Sequence, residues 1–276
     1  MVEVQTDELY GGELKRKGRE FKFIKWETRE GGAYLTLNRP PHNYLDGEML
    51  TEIAIAIETL HDVPDIKVIL LRAAKDSKSF CGGVSIPEYT NQRVFQMLDA
   101  FARVYSSTLA VGKPLIVVVE GPAHGGGCEL ASFGDMVIAT PNAEFSQPEI
   151  KKLGMFPPFA TSIFPHTIGP KRAMEMLLTG EPLKAEEAQT LGLVNRVVPE
   201  SEVDAVVEKL MGQIVQNSAP VLALAKRTIY EGLGMSLLNA LKHSQDVFLN
   251  ELYKLEDSQE GLRALSEKRR PQWKNR

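Results

Sequence analysis

Cysteine is scarce: Cys81 and Cys128 are the only two in 276 residues. Two thiols make no disulfide framework, and the default setting is a reducing cytoplasm. Taken with the five histidines they show no metal-ligand spacing, so no metal is expected. No apolar run approaches the roughly 18–20 residues of a membrane helix, so no membrane association is expected. Residues 1–20 are polar and charged and lack the apolar core of a secretory signal. Charge of one sign is also missing. The chain carries 32 Lys and Arg against 36 Asp and Glu, a formal net charge of −4, which argues against a nucleic-acid binder working by bulk charge. What is present is the composition of a soluble globular protein, 43% apolar and 25% charged, at a length that suits one large domain or one domain with a helical appendage.

After the polar extension, residues 21–26 and 33–38 read as strands around a Gly31-Gly32 hairpin turn, ended by Arg39-Pro40-Pro41 because proline cannot donate to a sheet ladder. Residues 47–60 carry Met49, Ile53, Ile57 and Leu60 at helical spacing. Residues 68–71, 115–119 and 136–139 are short continuous apolar runs, the mark of strands buried on both faces. A helix over 94–110 and a helix start at 128–133 alternate with them, which predicts an α/β protein with a parallel sheet. Beyond Pro199 only helical patterns follow, over 202–215, 220–231, 236–252 and 259–268. The expected organisation is an extension (1–20), an α/β core (21–199) and a helical oligomerisation region (200–276).

Two glycine-rich turns follow buried strands, Gly82-Gly83-Val84 and Gly125-Gly126-Gly127. Each can present backbone N–H groups to negative charge. Neither matches a phosphate loop or a dinucleotide fingerprint, and glycine in such places usually marks ordinary turn geometry. Glu129 directly follows the second turn among small and apolar neighbours, and Glu149 stands in a loop after the third buried strand. Either glutamate alone reads as a solvated surface charge. No Gly-x-Ser-x-Gly elbow is present. His124 reads either as a general base or, more simply, as a loop histidine that shapes the turn or touches ligand. Cys81 and Cys128 read as small apolar packing groups.

In order and spacing, these pieces resemble the crotonase (enoyl-CoA hydratase/isomerase) superfamily. Gly-Gly-Gly-Cys-Glu-Leu-Ala at 125–131 is similar to its first catalytic segment and 145–149 to its second. The stretches 80–84, Asn38-Arg39-Pro40 with Asn43, 178–180 with 185–198, and 260–269 are similar to flanking motifs. The resemblance implies a spiral of ββα units with C-terminal helices that build a homotrimer, often paired as a hexamer (a dimer of trimers). It implies an oxyanion hole from the N–H groups of Val84 and Gly126, and Glu129 and Glu149 flanking one water above the double bond of a conjugated thioester. Substrate and CoA contacts are implied at Lys78, Cys81, Gly82, Ile86, Gly125, Pro148, Phe156 and Lys268. CoA enters as part of the acyl-CoA substrate, and no separate cofactor is implied.

Retention of both glutamates favours hydration over isomerisation or thioester hydrolysis, the alternatives on this fold. RNA-binding members of the superfamily are disfavoured by the same pair and by the absence of a basic excess. Two positions depart from the common pattern. Ser85 stands where many members have aspartate, and an apolar, Pro-stiffened segment at 153–159 replaces a Gly-rich turn bordering the acyl pocket. That segment and the tail at 250–276 resemble cyclohexa-1,5-diene-1-carbonyl-CoA hydratases. A cyclic dienoyl-CoA is therefore the expected substrate, with a short linear enoyl-CoA as the alternative.

Overall fold

The computed structural model describes residues 21–276, so the expected extension at 1–20 lies outside the described residues. Strand β1 (Ile24–Arg29) pairs antiparallel with β2 (Gly32–Leu37). Their turn is made by Glu30 and Gly31, both at positive φ, one residue earlier than the sequence suggests. Gly32 is drawn into the ladder opposite Arg29, and a Cβ there would lie 2.5 Å from Met211 Cε.

Helix α1 (Gly47–Thr59) starts where the Asp46 side chain accepts from Met49 N–H and buries Met49, Leu50, Ile53 and Ile57. It packs along α2 (Asn91–Ala110). Between them in sequence is β3 (Val68–Ala73). Next come β4 (Leu115–Val119), β5 (Pro122–His124), α3 (Gly126–Ser132), β6 (Met136–Ala139), β7 (Glu144–Ser146) and α4 (Glu149–Leu153). Helices α5 (Pro158–Thr167) and α6 (Pro170–Thr179), strand β8 (Leu183–Lys184), helix α7 (Ala185–Leu191) and strand β9 (Arg196–Val197) complete the core.

One sheet has the order β1-β2-β3-β4-β6-β9 and is parallel from β2 onward; a smaller sheet has the order β5-β7-β8. The units β4-β5-α3 and β6-β7-α4 are successive turns of a spiral, each placing one strand in each sheet and then a helix. The two candidate glutamates thereby fall at equivalent places, near the start of α3 and at the start of α4.

The large sheet is buried on both faces, as the continuous apolar runs predict. Ile69, Leu71, Val117 and Val119 face the helices of the main core. Val68, Leu70, Ile116 and Val118 face Val203, Val207 and Met211 of α8 (Val203–Val215). Each such side chain contributes about 1.5–3 kcal/mol on full burial.

The remaining helices, α9 (Ala219–Leu233), α10 (Leu237–Asn250) and α11 (Glu256–Ser266), form the C-terminal region. Its link to the core is a buried ion pair: Lys226 Nζ reaches Asp135 Oδ2 at 2.6 Å and donates to Lys113 O, while the same Asp135 oxygen accepts Leu115 N–H. Lys67 Nζ adds a bond to Asn217 O at 2.7 Å.

Candidate active site

The two glycine turns meet. The segment after β3 is laced to its neighbours by Leu45 N–H to Gly83 O (2.9 Å), Ser85 N–H to Leu45 O (2.8 Å) and His124 N–H to Cys81 O (3.0 Å). Gly83 has φ of +101°, and a Cβ there would lie 2.9 Å from His124 O, so the close approach needs glycine. Across from it, a Cβ on Gly126 would lie 3.4 Å from Val84 N and 2.7 Å from Val84 Cγ2. The N–H groups of Val84 and Gly126 are thus neighbours, and neither donates to an acceptor among the described residues. Gly125, at φ +52°, is held by its N–H to Ser146 O at 2.8 Å.

Glu149 lies against this turn. A Cβ on Gly125 would sit 2.1 Å from Glu149 Oε1, so only glycine leaves room for the carboxylate. The sequence suggests a loop for Glu149, yet it is the first residue of α4, a helix too short at five residues to show a period. Its side chain is buried, with Oε2 lacking a hydrogen-bond partner among the described residues. Burial raises its pKa to about 7 against the opposing pull of its own N–H and of Lys152.

Glu129, on α3, is also buried. Its Oε1 accepts from Phe159 N–H (3.0 Å) and Ala160 N–H (2.8 Å) in the first turn of α5. The Pro-stiffened segment thereby positions an acid, since Pro158 opens α5 and the next two amides hold Glu129. Burial raises the Glu129 pKa to about 7. The Ala160 and Phe159 amides pull it down and the Glu149 charge pushes it up. The charge of Glu149 thus reaches Glu129, twenty positions earlier in the chain.

A cavity of about 1000 Å³ opens onto this point. Of the residues implied by the sequence, Val84, Glu149, Lys78, Gly82, Ile86, Gly125 and Pro148 line it. Glu129 and Gly126 are not among the lining residues, although Gly126 directly follows Gly125. Three expected contacts are not brought there. Cys81 is fully buried, with its thiol 3.0 Å from Asn43 O and its pKa pushed by burial up to about 12. Phe156 is 65% exposed, because Gly154 ends α4 in a left-handed turn and sends the chain outward. Lys268, a left-handed residue just past α11, does not line the cavity within one chain.

The wall also contains residues that the motifs did not mark: Tyr44, Tyr89 and Lys152. Lys152 stands three residues after Glu149, a helical spacing visible in the sequence once Glu149 is known to start a helix. His124 turns to β7, its Nδ1 2.6 Å from Ser146 Oγ and its Nε2 4.0 Å from Glu144. Burial lowers its pKa. It lines the cavity beside Ser146, the hydroxyl to which it is hydrogen-bonded.

Residues 27–276 match the family model described as enoyl-CoA hydratase/isomerase. A probable enoyl-CoA hydratase of Mycobacterium bovis is 36% identical, over 93% of this chain and 99% of that protein. A crotonyl-CoA hydratase of Syntrophomonas wolfei is 34% identical, over 91% and 97%. A cyclohexa-1,5-dienecarbonyl-CoA hydratase of Thauera aromatica is 31% identical, over 91% and 96%. Among solved structures, an enoyl-CoA hydratase subunit from Geobacillus kaustophilus superposes with a TM-score of 0.86 at 32% identity, over 94% of this chain and all of that one.

Proposed function

We infer the reaction from one premise: the chain belongs to the enoyl-CoA hydratase/isomerase family. It is a hydro-lyase of that family acting on an acyl-CoA thioester. In the proposed complex, the thioester oxygen lies between the N–H groups of Val84 and Gly126. Glu129 and Glu149 hold one water above the C2–C3 double bond. The water oxygen bonds to C3 while its proton passes to the ionised carboxylate. The π electrons move through C2 to the thioester oxygen, where the two amides stabilise the enolate. The protonated carboxyl then delivers its proton to C2 and the carbonyl re-forms.

The division of roles follows from the hydrogen bonds. Two amides favour charge on Glu129 Oε1, which suits the base. Glu149 Oε2 has no donor to stabilise a charge, which suits the acid. The observation carrying the reading is the contact of Glu149 with Gly125, beside two amides that have no acceptor among the described residues. Nothing in the sequence of proton transfers calls for a cofactor, and CoA arrives with the substrate. Lys78 and Lys152, at the cavity rim, suit its phosphates.

For the acyl group, a short conjugated 2-enoyl-CoA, the alternative in the sequence, becomes the first reading, supported by relatives named as crotonyl-CoA and short-chain-enoyl-CoA hydratases. A cyclohexa-1,5-diene-1-carbonyl-CoA is the second, favoured by the Pro157-Pro158 entry into α5 and by the Thauera relative. A panel of crotonyl-CoA, cyclohex-1-ene-1-carbonyl-CoA and cyclohexa-1,5-diene-1-carbonyl-CoA, followed by mass spectrometry, tests it. The expected product carries one added water and retains CoA. An unchanged mass would mean isomerisation and free CoA would mean hydrolysis, and either as the only activity removes the hydratase reading.

A homotrimer or a hexamer belongs to the same proposal, supported by exposed Leu237, Leu238, Leu241 and Phe248 on α10. So does a cytoplasmic setting, supported by the unpaired buried thiols Cys81 and Cys128.

A further inference from the structure

Tyr89 belongs to neither glycine turn nor to either glutamate segment, yet it faces the same cavity as Val84, Gly125 and Glu149. It closes the 3-10 turn Ile86–Tyr89, which begins with Pro87 at its second position. That turn is pinned to the start of α1. Ser85 N–H donates to Leu45 O at 2.8 Å, Glu88 N–H to Ser85 O at 3.0 Å, and Glu88 Oε2 accepts from Gly47 N–H at 3.1 Å. On the far side Thr90 Oγ1 donates to Pro87 O at 2.7 Å. The backbone carrying Tyr89 is therefore fixed, and its ring packs on the main core.

The phenol itself is uncommitted: its hydroxyl bonds to no group among the described residues. Burial, then the charge on Glu149, then that on Glu129 hold it un-ionised, well above its ordinary value. Near neutrality it is an O–H donor within electrostatic reach of both acids, with no acceptor among the described residues. The two amides of the site suit the thioester oxygen, and the two carboxylates suit the water. Hydration creates one further polar feature, the oxygen newly attached to C3. The enoyl thioester has no atom there to accept a hydrogen bond, whereas the attacking water and the hydroxyl product do.

We propose that Tyr89 is a third polar group of the reaction site, whose O–H donates to the oxygen that becomes bonded to C3, so that the site holds the attacking water and the 3-hydroxyacyl thioester more tightly than the enoyl or saturated thioester. This rests on the hydratase reading above. It assigns Tyr89 a place at the reacting atoms rather than in the apolar wall, and it gives the site a preference between the two sides of its own equilibrium.

Tyr89→Phe keeps the ring and its packing and removes only the O–H. Hydration of crotonyl-CoA is followed by initial rates, with 3-hydroxybutyryl-CoA and butyryl-CoA as inhibitors. If only the cyclic dienoyl ester is turned over, its hydrated and saturated counterparts take their place. Loss of one neutral hydrogen bond predicts a rise of about tenfold in the inhibition constant of the hydroxyacyl ester. The saturated ester should be unaffected within about twofold, and kcat should fall about tenfold at unchanged KM by the same single bond. A thermal melt of the variant at the wild-type temperature accompanies the kinetics. Equal changes for both inhibitors, or no change in either, overturn the proposal, because a packing role does not distinguish ligands differing by one hydroxyl. No turnover of any ester by the wild-type protein is a different result, and it removes the hydratase premise itself.

Discussion

The core and the C-terminal helices break the usual burial rule in opposite directions. In the core, Glu129 and Glu149 are 4% and 6% exposed, and neither has a cationic hydrogen-bond partner among the described residues. In the C-terminal region, Leu237 and Leu265 are 77% and 78% exposed, with Ile229, Leu233, Leu241 and Leu249 also open. Buried carboxylates and exposed leucines both cost free energy in an isolated chain. The contrast teaches where each region waits for something else. The acids wait for a proton and a reacting ligand, and in the proposed trimer or hexamer the leucines would meet apolar surface of another copy. The rest of the core needs no such completion, since the sheet is already covered on both faces.

The seam between the regions gives the largest expected effect. Lys226 is almost fully buried and depends on Asp135. Asp135→Ala leaves that ammonium facing only the Lys113 carbonyl and removes the acceptor of Leu115 N–H. The expected loss is about 3–5 kcal/mol in urea unfolding, the range for breaking one side of a buried pair. Asp135→Asn combined with Lys226→Met should recover part of it, because the amide oxygen still serves Leu115. Full stability in Asp135→Ala would mean that the C-terminal helices do not depend on this seam.

The next effect belongs to the acids. Glu129→Gln and Glu149→Gln should each lower turnover by about 10²-fold or more while ligand binding survives. Stability should move the other way. Both folded-state pKa values are raised to about 7, above the ordinary carboxylate range. A raised folded pKa favours the protonated acid in the native state. The wild-type protein is therefore unburdened below about pH 4.5 and loses stability as pH climbs through about 7. Gln cannot ionise, and its oxygen can still accept the Phe159 and Ala160 amides. At pH 8 Glu129→Gln should unfold roughly 1–3 kcal/mol later than wild type, with the gap closing at acidic pH. A gap independent of pH would locate the effect in packing instead of ionisation.

The parts of this contrast were unequally legible in the sequence. The strands at 115–119 and 136–139 and the helix at 47–59 are read to within a residue, because doubly buried strands are continuous apolar runs and α1 has a long clean period. The strands β5, β7 and β8, at two or three residues, carry too little pattern to detect. Both glutamates were legible only through the resemblance of 125–131 and 145–149 to the family's catalytic segments, since neither announces burial by its neighbours alone. The grip of α5 on Glu129 was not legible, because it uses backbone amides thirty positions away that any residue but proline supplies. Tyr89 was missed because its role depends on a turn pinned to α1, a contact over forty positions of chain.

The smallest expected change in chain stability comes from the exposed leucines, and it is the sharpest test of what the C-terminal region is for. Leu237, Leu241 and Phe248 recur on one face of α10, and that helix contacts mainly α9 and the short turn after it. If these side chains served the fold of a single chain, replacing them would cost what a core truncation costs, about 2–5 kcal/mol each. Open to water, they should cost within about 0.5 kcal/mol. Leu237→Glu with Leu241→Glu should therefore leave chemical unfolding of the dissociated chain nearly unchanged. Mass by light scattering should fall from a multiple of 30.6 kDa to the single chain. An unchanged mass would place the assembly surface elsewhere. A large loss of stability at unchanged mass would show that α10 folds onto its own chain, and the opposition between the two regions would disappear.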